Sequence, residues 1–353
     1  MSIERKNKSL IYPRIGKFSL IIFGVLLIIS GVKAYELFGF VFKESVKKDM
    51  VLLIPTGSDY KTVENLIINE DVIYSIKAFR WVAKKKDYNN NIKAGRYEVK
   101  KGWNTNQLVN ILRIGNQTPL KVTFNNVRNF NDLAGKVEQY FEADSMAFFD
   151  EFMNEQNYSK YNLSQTTFSS IFIPNTYEFY WTTTPAGFIE KMQFEYVHFW
   201  NQNRKEKAEK LGLSPMEVSI LASIVQEETI MPDEKPRVAG VYINRLKRGM
   251  LLQADPTVKF AIGDFAIRRI TNVMLETESP YNTYKYGGLP PGPINFPEIS
   301  SIDAVLNAES HSYIYMCARE DFSGYHNFAQ NLSQHNAYAA KYRNALNKRK
   351  IWK

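Results

Sequence analysis

Apolar residues fall along this chain in three rhythms, and each predicts a different kind of element. Residues 18–32, FSLIIFGVLLIISGV, carry no charge, and with Lys33 snorkelling the apolar stretch runs on through Ala34, Tyr35 and Leu37. That is long enough for a helix crossing a bilayer, over residues 18–42. A second rhythm, from Val51 onward, is an echo. A β-prone run (VLLIP or RYEVKK) leads to a glycine, Gly57 or Gly102, and apolar residues follow at offsets of six and nine: Val63 and Leu66, then Leu108 and Ile111. Each copy reads as strand, turn and short amphipathic helix. A degenerate third copy begins at Val122-Thr123-Phe124, with Leu133 and Val137 on its helix. Units this small cannot bury a core singly, so the echo predicts one α+β module over roughly residues 48–120.

The third rhythm is helical and contains an acid out of place. Ser214, Pro215 and Glu217 form a capping box with proline in the first turn, which starts a helix. At 100° per residue, Val218, Leu221, Ile224 and Val225 share one side, Glu228 falls inside that arc and Glu227 at its edge. A carboxyl turned toward apolar surroundings resists ionisation, which suits a general acid. The alternative is that Glu228, in the last turn, rolls outward and pairs with Lys235 or Arg237. Residues 238–246 read as a further helix, and Asp255-Pro256 as a turn into another apolar segment. Between these regions, residues 125–210 read as aromatic-rich helices interrupted by a loop at 173–181, with most of the aromatics in a core. Residues 281–297, dense in glycine and proline, read as a rigid loop fit to hold a ligand.

Composition changes this picture little, but charge placement changes it more. The 353 residues allow two domains or more, and 44% apolar content is ordinary. The formal +9 resides in the ends: residues 1–17 contribute +4 and the residues after Gln330 contribute +6, so everything between carries −1. That argues against a nucleic-acid-binding core and for tails that touch a membrane or an anionic polymer. The basic segment ahead of the apolar run places the N-terminus in the cytoplasm and the bulk of the chain outside. The rival is a signal peptide cleaved near Val32-Lys33-Ala34. The single cysteine, Cys317, cannot form an internal disulfide and is expected in a core.

Candidate chemistry is narrowed by what is missing. There is no HExxH, CxxC, glycine-rich phosphate loop or GxSxG elbow, so zinc-protease, redox, nucleotide and elbow-serine readings lack their defining residues. His326 and His335, nine apart, are expected to make structural hydrogen bonds rather than a metal site. What remains is carboxyl chemistry at a glycosidic bond, with Glu228 as acid and then base and Asp255 as the nearest second carboxylate.

The strings LASIVQEET, AGVYINRL, LLQADPTV, SPYNTYKYGGLPPGPI and HNFAQNLSQHN, in this order, closely resemble the YceG-like endolytic murein transglycosylases, as do IKAGRYEVKKG and IPNTYEF upstream. The resemblance implies that Glu228, directly before threonine, is the catalytic glutamate. It also implies an α+β architecture: a cytoplasmic basic tail (1–17), a single N-terminal transmembrane helix (18–42), a LysM-like module (48–120) and a mixed helical/strand catalytic domain (121–350). The implied reaction cleaves the β-1,4 bond between N-acetylmuramic acid and N-acetylglucosamine in peptidoglycan glycan strands without water, giving 1,6-anhydro ends. Neither cofactor nor metal is expected, and peptidoglycan synthases are candidate partners. Tyr281, Asn282, Thr283 and Tyr284, then Gln253 and Asp255, are candidates for contact with sugar. Asn175 stands where the family usually has aspartate, and Gln226 where an acid is common. A lysozyme-like hydrolase using Asp255 as base and a non-catalytic wall-binding adapter remain as alternatives.

Overall fold

The structure, a computed structural model, describes residues 17–267 and 269–349. The tail charges Arg5, Lys6, Lys8, Arg14, Lys350 and Lys353 lie outside the described residues. The fold is mixed α+β, in two compact units, Met1–Thr118 and Pro119–Lys353.

The first unit begins with helix α1 (Lys17–Phe42), apolar on every face. At 1.5 Å per residue its 26 residues span about 39 Å, more than a ~30 Å hydrocarbon layer. Leu20, Ile21, Phe23, Leu26 and Ile28 are all exposed, a pattern no water-facing helix sustains. It is the one helix among the described residues long and apolar enough to cross a membrane.

Strand β1 (Met50–Ile54), helices α2 (Tyr60–Asn69) and α3 (Ile76–Lys85), strand β2 (Gly95–Val99) and helix α4 (Thr105–Ile114) follow. The strands pair antiparallel, with Met50 opposite Val99 and Ile54 opposite Gly95. Both echo glycines take positive φ, +79° at Gly57 and +83° at Gly102, a conformation costly for a side chain. Val63 and Leu108, at the offset of six, are wholly buried, while Leu66 and Ile111, at nine, pack against the core's margin. Side chains of Asp59, Ser75 and Asn104 cap the three helices, Asn104 through a full capping box with Gln107. The third echo belongs elsewhere: β3 (Leu120–Phe124) lies in the second unit and pairs with β4 (Asn175–Phe179).

The second unit adds α5 (Phe130–Val137), α6 (Ser145–Met153), α7 (Glu155–Ser159), α8 (Pro185–Phe199), α9 (Gln202–Leu211), α10 (Pro215–Glu228), α11 (Lys235–Lys247), α12 (Asp255–Ile262), α13 (Ile299–Leu306), β5 (Tyr315–Ala318), β6 (His326–Ala329) and α14 (Leu332–Lys348). Residues 173–181 are therefore no loop. Their centre is β4, with Phe124 opposite Asn175 and Leu120 opposite Phe179, because pairing with a strand some fifty residues earlier supplies partners that local sequence does not reveal. Two cores form. One is aromatic, joining Phe124, Phe148, Phe152, Phe172 and Phe188. The other is aliphatic and surrounds α10 with residues of α11 and α13.

Helix α10 starts as its sequence dictates, with Ser214 and Glu217 exchanging both bonds of the capping box. Its middle is not amphipathic, however: every residue from Val218 to Val225 is buried. Ser219 and Ser223 are tolerated there because their hydroxyls donate back to the carbonyls of Pro215 and Ile220. Apolar periodicity marks only one side of the helix because these two serines, satisfied within it, stand on a second buried face.

Candidate active site

A central buried helix must end somewhere, and α10 ends at Glu228. Its side chain lines a cleft of about 490 Å³, walled also by Tyr242 and Arg245 from α11, Gln253, Asp255, Tyr284, the strand residues Tyr315 and His326, and His335 from α14. Glu227 points outside and accepts the Asn295 side-chain amide at 2.9 Å. Lys235 and Arg237 are engaged elsewhere: Lys235 donates to Ser300 and Ser301, and Arg237 pairs with Glu309 at 2.9 Å.

Burial among protein atoms pushes Glu228 from 4.5 to about 7, although an edge of the side chain remains open to the cleft. The Tyr242 hydroxyl, donating to Oε1 at 2.6 Å, pulls the other way, the charge of Asp255 adds to the rise, and His326 and Lys259 oppose it. The carbonyl end of α10 also disfavours an anion there. With Oε1 accepting from Tyr242, the carboxyl proton is left to Oε2. Tyr242 itself is held far from ionisation by its burial and by Glu228.

The structure brings Glu228, Gln253, Asp255 and Tyr284 to this one cleft. Asp255 is the first residue of α12, not its cap, and accepts the Tyr284 hydroxyl at 2.6 Å. Gln253 has φ +50°, donates its backbone N–H to the Thr283 carbonyl and accepts from Arg245. Asn282 and Thr283 are buried and turned to other work. Asn282 donates to the carbonyls of Leu275 and Thr277, while the Thr283 hydroxyl accepts from the Ala254 N–H and bonds the Thr257 hydroxyl. They fix the loop that presents Tyr284. Tyr281 sits apart, its ring centroid 4.6 Å from that of Phe260 at a different cavity. Gln226 and Asn175 serve the backbone, accepting from the N–H groups of Glu298 and Thr176.

Two participants gave no sequence signal as part of this site. Tyr242, inside an apolar helix, reads as core. Glu234 is 2% exposed, yet its oxygens take the His326 backbone N–H at 2.7 Å, the His326 ring at 2.8 Å and the Thr229 hydroxyl at 3.1 Å. These contacts tie β6 to the segment that follows α10. Among the described residues no three His, Cys, Asp or Glu side chains gather as metal ligands, and His335 lies stacked on Tyr315. Cys317, expected in a core, instead lines the cleft from β5, and burial raises its thiol pKa.

Comparison with known proteins gives this geometry a family. The profile of the YceG-like family matches residues 52–341. The chain belongs to the YceG-like family. Its relatives include an endolytic murein transglycosylase of Bacillus subtilis (strain 168), 29% identical over 92% of this chain and 93% of the relative. Another, an endolytic murein transglycosylase of Streptococcus pneumoniae (strain ATCC BAA-255 / R6), is 25% identical over 85% of this chain, and the matched region covers 59% of that longer protein. Among solved structures, a YceG-like protein from Listeria monocytogenes aligns with a TM-score of 0.54 at 26% identity, over 82% of this chain and 98% of that one.

Proposed function

We propose that this chain is an endolytic murein transglycosylase, held to a membrane by α1 and cutting the muramyl–glucosaminyl β-1,4 bond inside glycan strands with Glu228 as its one acid and base. The observation that carries the reading is a carboxyl lining an open polar cleft, hydrogen-bonded to the Tyr242 hydroxyl and pushed by burial to about 7. A carboxyl raised this far from 4.5 can keep a proton to give near neutral pH and can take one back.

The reaction then runs as follows. Glu228 gives the Oε2 proton to the glycosidic oxygen while the bond from that oxygen to the anomeric carbon breaks. The carboxylate left behind is steadied by the Tyr242 hydroxyl, whose bond strengthens as the acceptor becomes an anion. The muramyl 6-hydroxyl attacks the anomeric carbon, its proton passes to Glu228, and a 1,6-anhydro ring closes without water. The substrate's acetamido group stabilises the developing positive charge, as in substrate-assisted glycosidases. A hydrolase would need Asp255 to activate water. Its Oδ1 already accepts the Tyr284 hydroxyl, which favours a role for Asp255 in orienting Tyr284 and raising Glu228.

Tyr284, Gln253 and Asp255 contact sugar, and Asn282 and Thr283 hold the loop behind them. Residues 121–350 form the catalytic domain. Residues 48–120 form a LysM-like, polymer-binding module, supported by a groove of about 220 Å³ lined by Lys47, Ile68 and the exposed Tyr74. The basic N-terminal tail stays in the cytoplasm and the catalytic domain lies outside, where synthases of the strand are its partners. Purified glycan strands supply the test. The full chain in detergent should shorten them and Glu228→Gln should not; identical strand-length profiles with both would favour the adapter.

A further inference from the structure

A second cavity, of about 320 Å³, shares a wall with the catalytic cleft, and nothing in the mechanism above uses it. Helix α12 is the shared element. Asp255 at its start lines the cleft, and Phe260, five residues or about 7.5 Å further along the axis, lines the second cavity. The following loop repeats the arrangement, with Tyr284 in the cleft and Tyr281 in the cavity.

The cavity is built rather than incidental. Its far wall, residues 165–169, is locked to the loop at Gly292, where a β-carbon would come within 2.0 Å of the Thr166 carbonyl oxygen. Any side chain there would push the walls apart, so the close approach requires glycine. The floor is aromatic, from Phe130, Phe260, Tyr281 and Phe296. On the rim stands Arg128, exposed, with its guanidinium 4.7 Å from the Phe265 ring centroid and no carboxylate partner among the described residues. An apolar floor beneath a stacked, uncommitted guanidinium suits a ligand carrying small apolar groups and a carboxylate.

We infer that this cavity seats the peptide arm attached to the muramyl sugar, with Arg128 taking a peptide carboxylate and the aromatic floor taking alanine methyl groups. The inference rests on the glycan-cleaving reading for its ligand, since a strand cut at Glu228 carries such an arm beside the scissile bond. The cleft then reads the sugar, and the cavity reads whether that sugar still bears its peptide.

Binding by the full-length Glu228→Gln chain in detergent micelles tests this, using uncrosslinked glycan strands with peptides intact and the same strands stripped by an amidase. Peptide-bearing strands should bind about tenfold tighter, the worth of one charge-assisted hydrogen bond at a partly exposed site. Adding Arg128→Glu should abolish that difference and leave binding of stripped strands unchanged, whereas Arg128→Lys should keep part of it. Equal binding of both strands by Glu228→Gln, or a preference that survives Arg128→Glu, would overturn the inference. Because the readout is binding by an inactive chain, failure of the wild type to cleave either strand would sink the catalytic reading alone.

Discussion

The cores of the two units follow opposite rules. In the first, the buried side chains are apolar apart from Ser45 and Thr105, and its helices are capped by their own side chains. In the second, Glu234, Lys235 and Arg245 are buried, and burial forces Glu228 toward neutrality. The first unit is what stability alone would select; the second gives up stability to hold charge where water would otherwise disperse it. Where a core breaks the burial rules, chemistry is the reason to suspect.

That contrast can be broken by exchange. The largest effect should come from Glu228→Gln, lowering kcat on glycan strands by about 10³-fold, the scale of a lost general acid and base, as initial rates would show. Next, Leu108→Ala, which empties a fully buried site of the first unit, should cost about 2–5 kcal/mol in denaturant unfolding of that unit while kcat stays the same. A matching loss of kcat would mean that the two units do not divide the work.

A smaller effect follows from linkage. The folded chain holds the Glu228 proton up to about pH 7 and the unfolded chain only to about 4.5, so the group's stabilising contribution is complete below 4.5 and lost as pH rises through 7. Ionising the buried group costs up to about 3 kcal/mol. Glu228→Gln escapes this, so melting curves should coincide with wild type at pH 4 and lie higher at pH 8. Smallest is Tyr242→Phe. It removes the bond that holds the Glu228 pKa down, so the alkaline limb of the pH–rate profile should move to higher pH; a move to lower pH would refute the assignment of donor and acceptor.

The same contrast separates what could be read in the sequence from what could not. Gly57, Gly102 and the residues six positions on announce the first unit because local pattern and burial agree there. The start of α10 and the turn of Glu228 away from Glu227 were legible for the same reason. The cleft was not, since its decisive contacts join residues far apart in the chain: Tyr242 with Glu228, and His326 with Glu234, 92 positions away. Nor could the sequence show that Asn282 and Thr283 face inward while Tyr284 faces the cleft, because backbone carbonyls and the Ala254 N–H set those directions.

The claim that one carboxyl does the whole reaction is tested most directly by the mass of the products from wild type and Glu228→Gln on the same strands. The wild type should give muramyl ends lighter by one water, the 1,6-anhydro form, and the variant none. Reducing ends alone, or anhydro ends still formed without Glu228, would contradict it.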